Sequence, residues 1–260
     1  MAGPQSSNPV FARAPGLQPR TFGAPGYPSP GEVEDLYRTP QRLTLDDIVM
    51  KTGLLLGIIV VLGAVAWIGD FSPGVVGLAG IVGLVLGLVN IFKREVSPGL
   101  VLAYAACEGV LLGGVSKFFE QTPGYEGLPL QAAVGTAAIF GAVLLAYKNK
   151  VLRATPRFTK IVVGAFIGLF GLLVLNIIIN LVDGGGSGLG LRDGSPLAIL
   201  FSIAFIAIGS MTFVLDFDQA ERLVASGAPE RESWRISFGL VLGLVWLYFE
   251  ILRLLSYFRD

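Results

Sequence analysis

Seven runs of mostly apolar residues follow one another along the chain, separated by short polar stretches. A run of about 20 such residues can cross a bilayer as a helix, which satisfies all of its backbone hydrogen bonds internally. Hydrophobic residues make up 53% of the 260 residues, and charged residues only 15%. The sequence therefore predicts an all-α membrane protein with seven transmembrane helices, at about Gly53–Ile68, Pro73–Phe92, Pro98–Val115, Leu128–Tyr147, Ile161–Val182, Pro196–Leu215 and Ile236–Tyr257.

The segment before the first run has a different composition. Residues 1–42 are rich in Pro, Gly and Ser and contain no sustained apolar run. A segment of this kind buries too little apolar surface to offset the entropy lost on folding. We expect a disordered tail over residues 1–42, followed by a seven-helix transmembrane domain over residues 43–260.

Basic residues are distributed unequally between the two sides of the predicted bundle. Most of the 19 Lys and Arg residues lie in the tail and in the loops after the second, fourth and sixth runs. The positive-inside rule then places the amino terminus in the cytoplasm. Seven crossings put the carboxyl terminus outside, whereas a re-entrant last segment would return it to the cytoplasm, and the charges do not decide between these two topologies.

The composition also excludes several classes of function. The chain has no His and one Cys, so it lacks the commonest general base and cannot form an internal disulfide. The formal net charge is zero, and no basic face is available for nucleic acid. We expect no enzyme activity, no resident metal and no cofactor, because no convincing catalytic set is present.

Acidic side chains inside the apolar runs are the strongest indication of a functional site. Glu250 and Glu108 interrupt two of the runs, and Asp216 closes another. An ionised carboxylate at the centre of a bilayer costs about 3 kcal/mol or more, so such acids are candidates for ion pathways. Arg253 follows Glu250 by three residues on the same helix face. It either neutralises Glu250 in place or acts as its gating partner.

Four segments resemble the Bax inhibitor family, in its YccA-like bacterial branch. Residues 99–114 have an aromatic-alanine stretch followed by glycines, and residues 135–137 give the Gly-Thr-Ala of the next span. Residues 215–218 (Leu-Asp-Phe-Asp) are similar to the acidic end of the family's sixth helix. Residues 247–251 (Leu-Tyr-Phe-Glu-Ile) are similar to its seventh-helix Leu-Tyr-Leu-Asp-Phe element.

This resemblance implies a seven-helix fold with the last helix central, in a bacterial plasma membrane. It also implies a pH-sensitive calcium leak, through which Ca²⁺ would pass transiently. In the family, acids of the sixth and seventh helices share protons and gate the pore. The matching positions in this sequence are Asp216 and Glu250.

Helix geometry suggests a different grouping of the acids. At about 1.5 Å per residue, Glu250 lies roughly 20 Å beyond Ile236, whereas Asp216 comes at the cytoplasmic end of its span. Glu108 lies about 15 Å beyond Pro98, closer in depth to Glu250. The alternative to the family dyad is therefore a cluster of Glu108, Glu250 and Arg253. In either arrangement, two nearby carboxylates cannot both be ionised cheaply, so the site would respond to pH.

Two functions are consistent with these features. The first is calcium or proton flux across a lipid bilayer, controlled by protonation of the buried acids. The second is a non-transporting regulator that binds another membrane protein, such as a membrane protease or a stress-response partner. Flux through liposomes that contain only the purified protein distinguishes the two.

Overall fold

The computed structural model describes residues 42–182 and 188–259. All but the last residue of the predicted tail lie outside these ranges. The described residues form seven helices, each long and apolar enough to cross a membrane, which confirms the predicted fold class. They are α1 (Leu45–Ile68), α2 (Pro73–Phe92), α3 (Pro98–Gln121), α4 (Leu128–Lys148), α5 (Pro156–Val182), α6 (Pro196–Ala225) and α7 (Glu232–Tyr257).

Several helices extend beyond the apolar runs that predicted them. The apolar run of α1 begins at Gly53, but an amphipathic turn with Leu45, Ile48 and Val49 extends the helix to Leu45, where Thr44 and Asp47 form a reciprocal capping box. Helix α6 continues past Leu215 to Ala225, and its polar last turns include an ion pair of 2.6 Å between Asp218 and Arg222. Hydropathy indicates only the part of a helix that matches the lipid core, so it misses such polar turns.

Helix α7 is central in the bundle, as expected. It packs against α1, α3, α4 and α6, and 56% of its most apolar 18-residue window is buried. The helix is continuous over 26 residues, about 39 Å at 1.5 Å per residue. A helix of this length is long enough to cross the bilayer core, and it has no break at which a re-entrant segment would turn back.

The two ends of the bundle are held by separate sets of polar contacts. At the end where α1 begins, which we call the near end, Lys51 Nζ lies 2.8 Å from Glu230 Oε1. The backbone N–H of Leu43 donates to the carbonyl of Ala228 there, at 2.8 Å. The α6–α7 connection therefore lies beside the start of α1 rather than dipping toward Glu250. At the opposite, far end, Lys117 Nζ lies 2.6 Å from Asp70 Oδ1.

Helices α1 and α3 approach each other most closely at glycines. A Cβ atom built on Gly113 would lie 2.2 Å from the carbonyl oxygen of Gly63, and one on Gly109 would lie 2.9 Å from that of Ile59. No real Cβ fits at such distances from a backbone oxygen. The absence of side chains therefore sets the α1–α3 separation, as expected for small residues between membrane helices.

We expect Gly113→Ala to lower the free energy of unfolding by about 1–3 kcal/mol, because the new methyl group must push α1 away from α3. Gly57→Ala, on an open face of α1 with no neighbouring atom within 4 Å, is the matched control and should be neutral or slightly stabilising. Unfolding in detergent, followed by circular dichroism, measures both variants. Equal stability of the two would contradict the packing described here.

Candidate functional site

Glu250 lies within the bundle and is bound by two arginines. It is only 2% exposed. The Arg192 guanidinium donates from Nη2 to Glu250 Oε1 at 2.8 Å and from Nη1 to Oε2 at 3.3 Å. Arg253 Nη1 donates to the same Oε1 at 3.3 Å. The structure thus brings Glu250 and Arg253 together, and adds Arg192 in a two-point contact of the kind favoured between guanidinium and carboxylate.

Arg192 lies in the described part of the connection between α5 and α6, residues 188–195, which we call the far-end loop. The N–H of Leu189 donates to Asn176 Oδ1 at 2.7 Å, which ties the start of the loop to α5. Leu191 is buried in an apolar cluster with residues of α6. Ser195 Oγ donates to the carbonyl of Gly190 and accepts from the N–H of Ala198, which caps α6. Both ends of the loop are therefore fixed, with Arg192 between them.

Sequence reasoning did not identify Arg192. It follows a glycine-rich segment, and nothing in the residue pattern specifies the conformation that turns its side chain back toward α7. The usable signal was the acid itself, because a buried carboxylate is usually paired with a cation. Arg192 is one of few basic residues on the same side of the predicted bundle as Glu250.

Asp216 does not lie beside Glu250. Helices α6 and α7 are antiparallel: the Phe213 ring lies against Gly243, and the Trp246 ring against Gly209. These contacts place Asp216 at the depth of about residue 240 on α7, so Glu250 lies roughly 15 Å further along the axis. The Asp216–Glu250 pair implied by the family resemblance is not formed in this structure.

Glu108 is also separated from Glu250. Helices α3 and α7 run parallel, with the rings of Tyr104 and Phe238 5.1 Å apart at one level. The hydroxyls of Ser116 and Tyr248 share a hydrogen bond of 2.6 Å at another level. Glu108 is therefore level with about residue 242, roughly 12 Å short of Glu250.

The proposed three-residue cluster consequently reduces to Glu250 and Arg253, and Glu108 is not part of it. The cause is that α7 begins at Glu232 rather than Ile236, which lengthens the stretch of helix between the near end and Glu250. Glu108 lies instead against α2, where a Cβ on Gly83 would come within 3.2 Å of its Oε1. It is buried there, with 7% of its surface exposed.

Asp216 lines a cavity of about 430 Å³ that lies between α2, α6 and α7, toward the near end of the bundle. Asn90, Gln219 and Arg235 also line it. Asp218, two residues on, is not among the lining residues and pairs with Arg222. Within residues 42–182 and 188–259, no group of three His, Cys, Asp or Glu side chains could hold a metal ion.

Comparison with known proteins identifies the family of the chain. The model of a family described as Bax inhibitor 1 like matches residues 8–260, which is nearly the whole chain. Comparison with curated proteins gives no match. The match covers nearly all of the described residues, which form seven helices long and apolar enough to cross a membrane. The chain is a multi-pass membrane protein that belongs to the Bax inhibitor 1 like family.

Proposed function

We propose that the protein is a pH-sensitive calcium leak, closed at its far end by the ion pair between Arg192 and Glu250. The observation that carries this proposal is the two-point contact of a 2%-exposed carboxylate on the central helix with an arginine 58 residues away in the chain. Family membership supports the leak activity, and the contact supports the position of the gate.

Protonation supplies the switch in this proposal. An ionised Glu250 holds Arg192, and through it the far-end loop, against α7. When Glu250 takes up a proton, its negative charge is lost, and the buried ion pair no longer offsets the desolvation of the guanidinium. The part of the loop around Arg192 can then move away from α7, so the leak should increase as the pH falls.

Oxygen ligands along the interior would suit calcium as the ion that passes. Ca²⁺ binds carboxylate, carbonyl and water oxygens in flexible geometry. Glu108 and Asp216 both lie at about the depth of residues 240–242 on α7. A permeating cation would therefore meet two acids on the near-end side of the gate. We also propose that the near end faces the cytoplasm of a bacterial plasma membrane, because basic residues are concentrated in its loops.

Purified protein in liposomes loaded with a calcium-sensitive dye tests the proposal. We expect calcium entry to rise as the outer pH is lowered from about 8 to about 5, the range in which a buried carboxylate can titrate. Protein-free liposomes of the same lipid are the control. Flux equal to theirs over the whole range would reject the leak and favour the alternative, a regulator that acts by binding another membrane protein.

A further inference from the structure

Five basic side chains lie together where α4 ends and α5 begins, at the near end of the bundle. We call residues 148–160 the basic segment, and its cations are Lys148, Lys150, Arg153, Arg157 and Lys160. All five are exposed, and no Asp or Glu occurs between residues 127 and 182. None of the five side chains makes a hydrogen bond or an ion pair with a residue that the structure describes. Their counter-charge must therefore come from elsewhere.

Other basic residues at the near end do have acidic partners. Glu221 of α6 lies beside the end of α4, but it accepts a hydrogen bond from the hydroxyl of Tyr147 and pairs with none of the five cations. The positive-inside rule accounts for basic residues on this side of the bundle but not for their lack of partners. Four ion pairs are formed elsewhere at this end, namely Lys51–Glu230, Arg222–Asp218, Arg231–Glu95 and Arg235–Glu232.

Two of the five cations occupy positions that the fold itself does not favour. Lys150 has a φ of 61°, in the left-handed region where glycine and asparagine are the favoured residues. Arg157 lies in the first turn of α5, where the free N–H groups give the helix a partial positive charge and no acidic residue offsets it. Residues that work against their own local structure are typical of functional positions.

The surroundings of the basic segment indicate what supplies the counter-charge. Only 11% of the most apolar window of α5 is buried, the smallest share among the seven helices, so this helix is largely covered by lipid. Val151 within the segment and Ile161 directly after it are exposed apolar residues. The five cations therefore lie at the depth where acyl chains meet headgroups. Clusters of Lys and Arg next to a transmembrane helix attract anionic headgroups at that depth.

We propose that the basic segment binds the headgroups of anionic phospholipids in the leaflet at the near end. Arg153 and Arg157 would donate paired hydrogen bonds to phosphate oxygens, whereas the lysines would act as point charges. The acyl chains would lie along α5, against Ile161. This surface is at the opposite end of the bundle from the contact between Arg192 and Glu250, so its test does not depend on the leak proposed above.

Titration of the full chain in detergent with phosphatidylglycerol or phosphatidylcholine of the same acyl chains, followed by native mass spectrometry, tests the proposal. The apparent Kd of the first bound lipid is measured for each headgroup. We expect the wild type to bind phosphatidylglycerol more tightly. Lys150→Gly and Arg157→Gln should each weaken that binding about fivefold, because each cation near a membrane surface contributes about that factor. Binding of phosphatidylcholine should not change.

Arg231→Gln is the matched control. It removes one positive charge from the same end, but Arg231 already pairs with Glu95, so binding of phosphatidylglycerol should stay as in the wild type. Glycine fits the backbone at position 150 better than lysine does, so Lys150→Gly should unfold at the same or a higher temperature. Weaker lipid binding by a protein of undiminished stability cannot come from misfolding.

Three results would overturn the proposal. The first is equal binding of the two lipids by the wild type, and the second is a preference for phosphatidylglycerol that persists in the double variant Lys150→Gly, Arg157→Gln. The third is equal weakening by Arg231→Gln, which would show that only net charge matters. A polyglutamate peptide that binds the wild type but not the double variant, without a preference between the lipids, would replace the lipid with an acidic protein partner.

Discussion

Glu250→Gln is expected to give a calcium leak that is high at pH 8 and no longer changes with pH. Glutamine is close in shape to a protonated glutamate and carries no charge, so it cannot hold Arg192 by an ion pair. If the pair contributes about 3 kcal/mol to the closed state, its loss shifts the ratio of closed to open protein roughly a hundredfold. Dye-loaded liposomes between about pH 5 and 8, the range proposed for the wild type, measure the effect.

Arg253→Gln is the matched control for this variant. It removes the other cation in contact with Glu250, at 3.3 Å, but Arg253 lies on α7 itself and forms no ion pair with a second element among residues 42–182 and 188–259. Its loss should therefore leave the far-end loop in place and preserve most of the pH response. A Glu250→Gln protein with the pH profile of the wild type would show that Glu250 is a neutralised structural charge and nothing more.

Arg192→Gln removes the other partner of the same contact and is also expected to raise the calcium leak. The far-end loop then carries no cation that can pair with Glu250, so flux at pH 8 should approach that of Glu250→Gln. The variant also leaves the carboxylate of Glu250 with Arg253 alone. Removing one partner of a buried pair costs about 3–5 kcal/mol, so thermal unfolding in detergent should occur at lower temperature than in the wild type.

Arg192→Lys separates the charge from the geometry. Lysine keeps the positive charge but cannot make the two-point contact, so we expect leak and stability between those of the wild type and Arg192→Gln. An Arg192→Gln protein that is as stable and as tightly closed as the wild type would contradict the assignment of Arg192 to the gate.

Much of this architecture could be predicted from residue pattern alone. The bounds of α2 match the apolar run at Pro73–Phe92, because polar turn residues border that run on both sides. Asp216 and Asp218 are about 200° apart on a helix, so the residue pattern also indicates that only one of them can face the bundle. These features depend on local chemistry, which the sequence displays directly.

The grouping of the acids could not be predicted in the same way, because it depends on the relative depth of helices. A shift of α7's start from Ile236 to Glu232 moves Glu250 by about one helical turn, which is enough to separate it from Glu108. The contact with Arg192 depends further on the path of the far-end loop. The contacts of Leu189 with Asn176 and of Ser195 with the start of α6 set that path, and no local pattern reveals them.

The central claim, that the Arg192–Glu250 contact is the gate, is tested most directly by a double-mutant cycle on the calcium leak at pH 8. Flux is measured for the wild type, Arg192→Gln, Glu250→Gln and the double variant in the same liposomes. If the two side chains act only through each other, each single variant is leaky, and the double variant leaks no more than either of them. Effects of the two substitutions that multiply in the double variant would show that the residues act independently, and would contradict the gate.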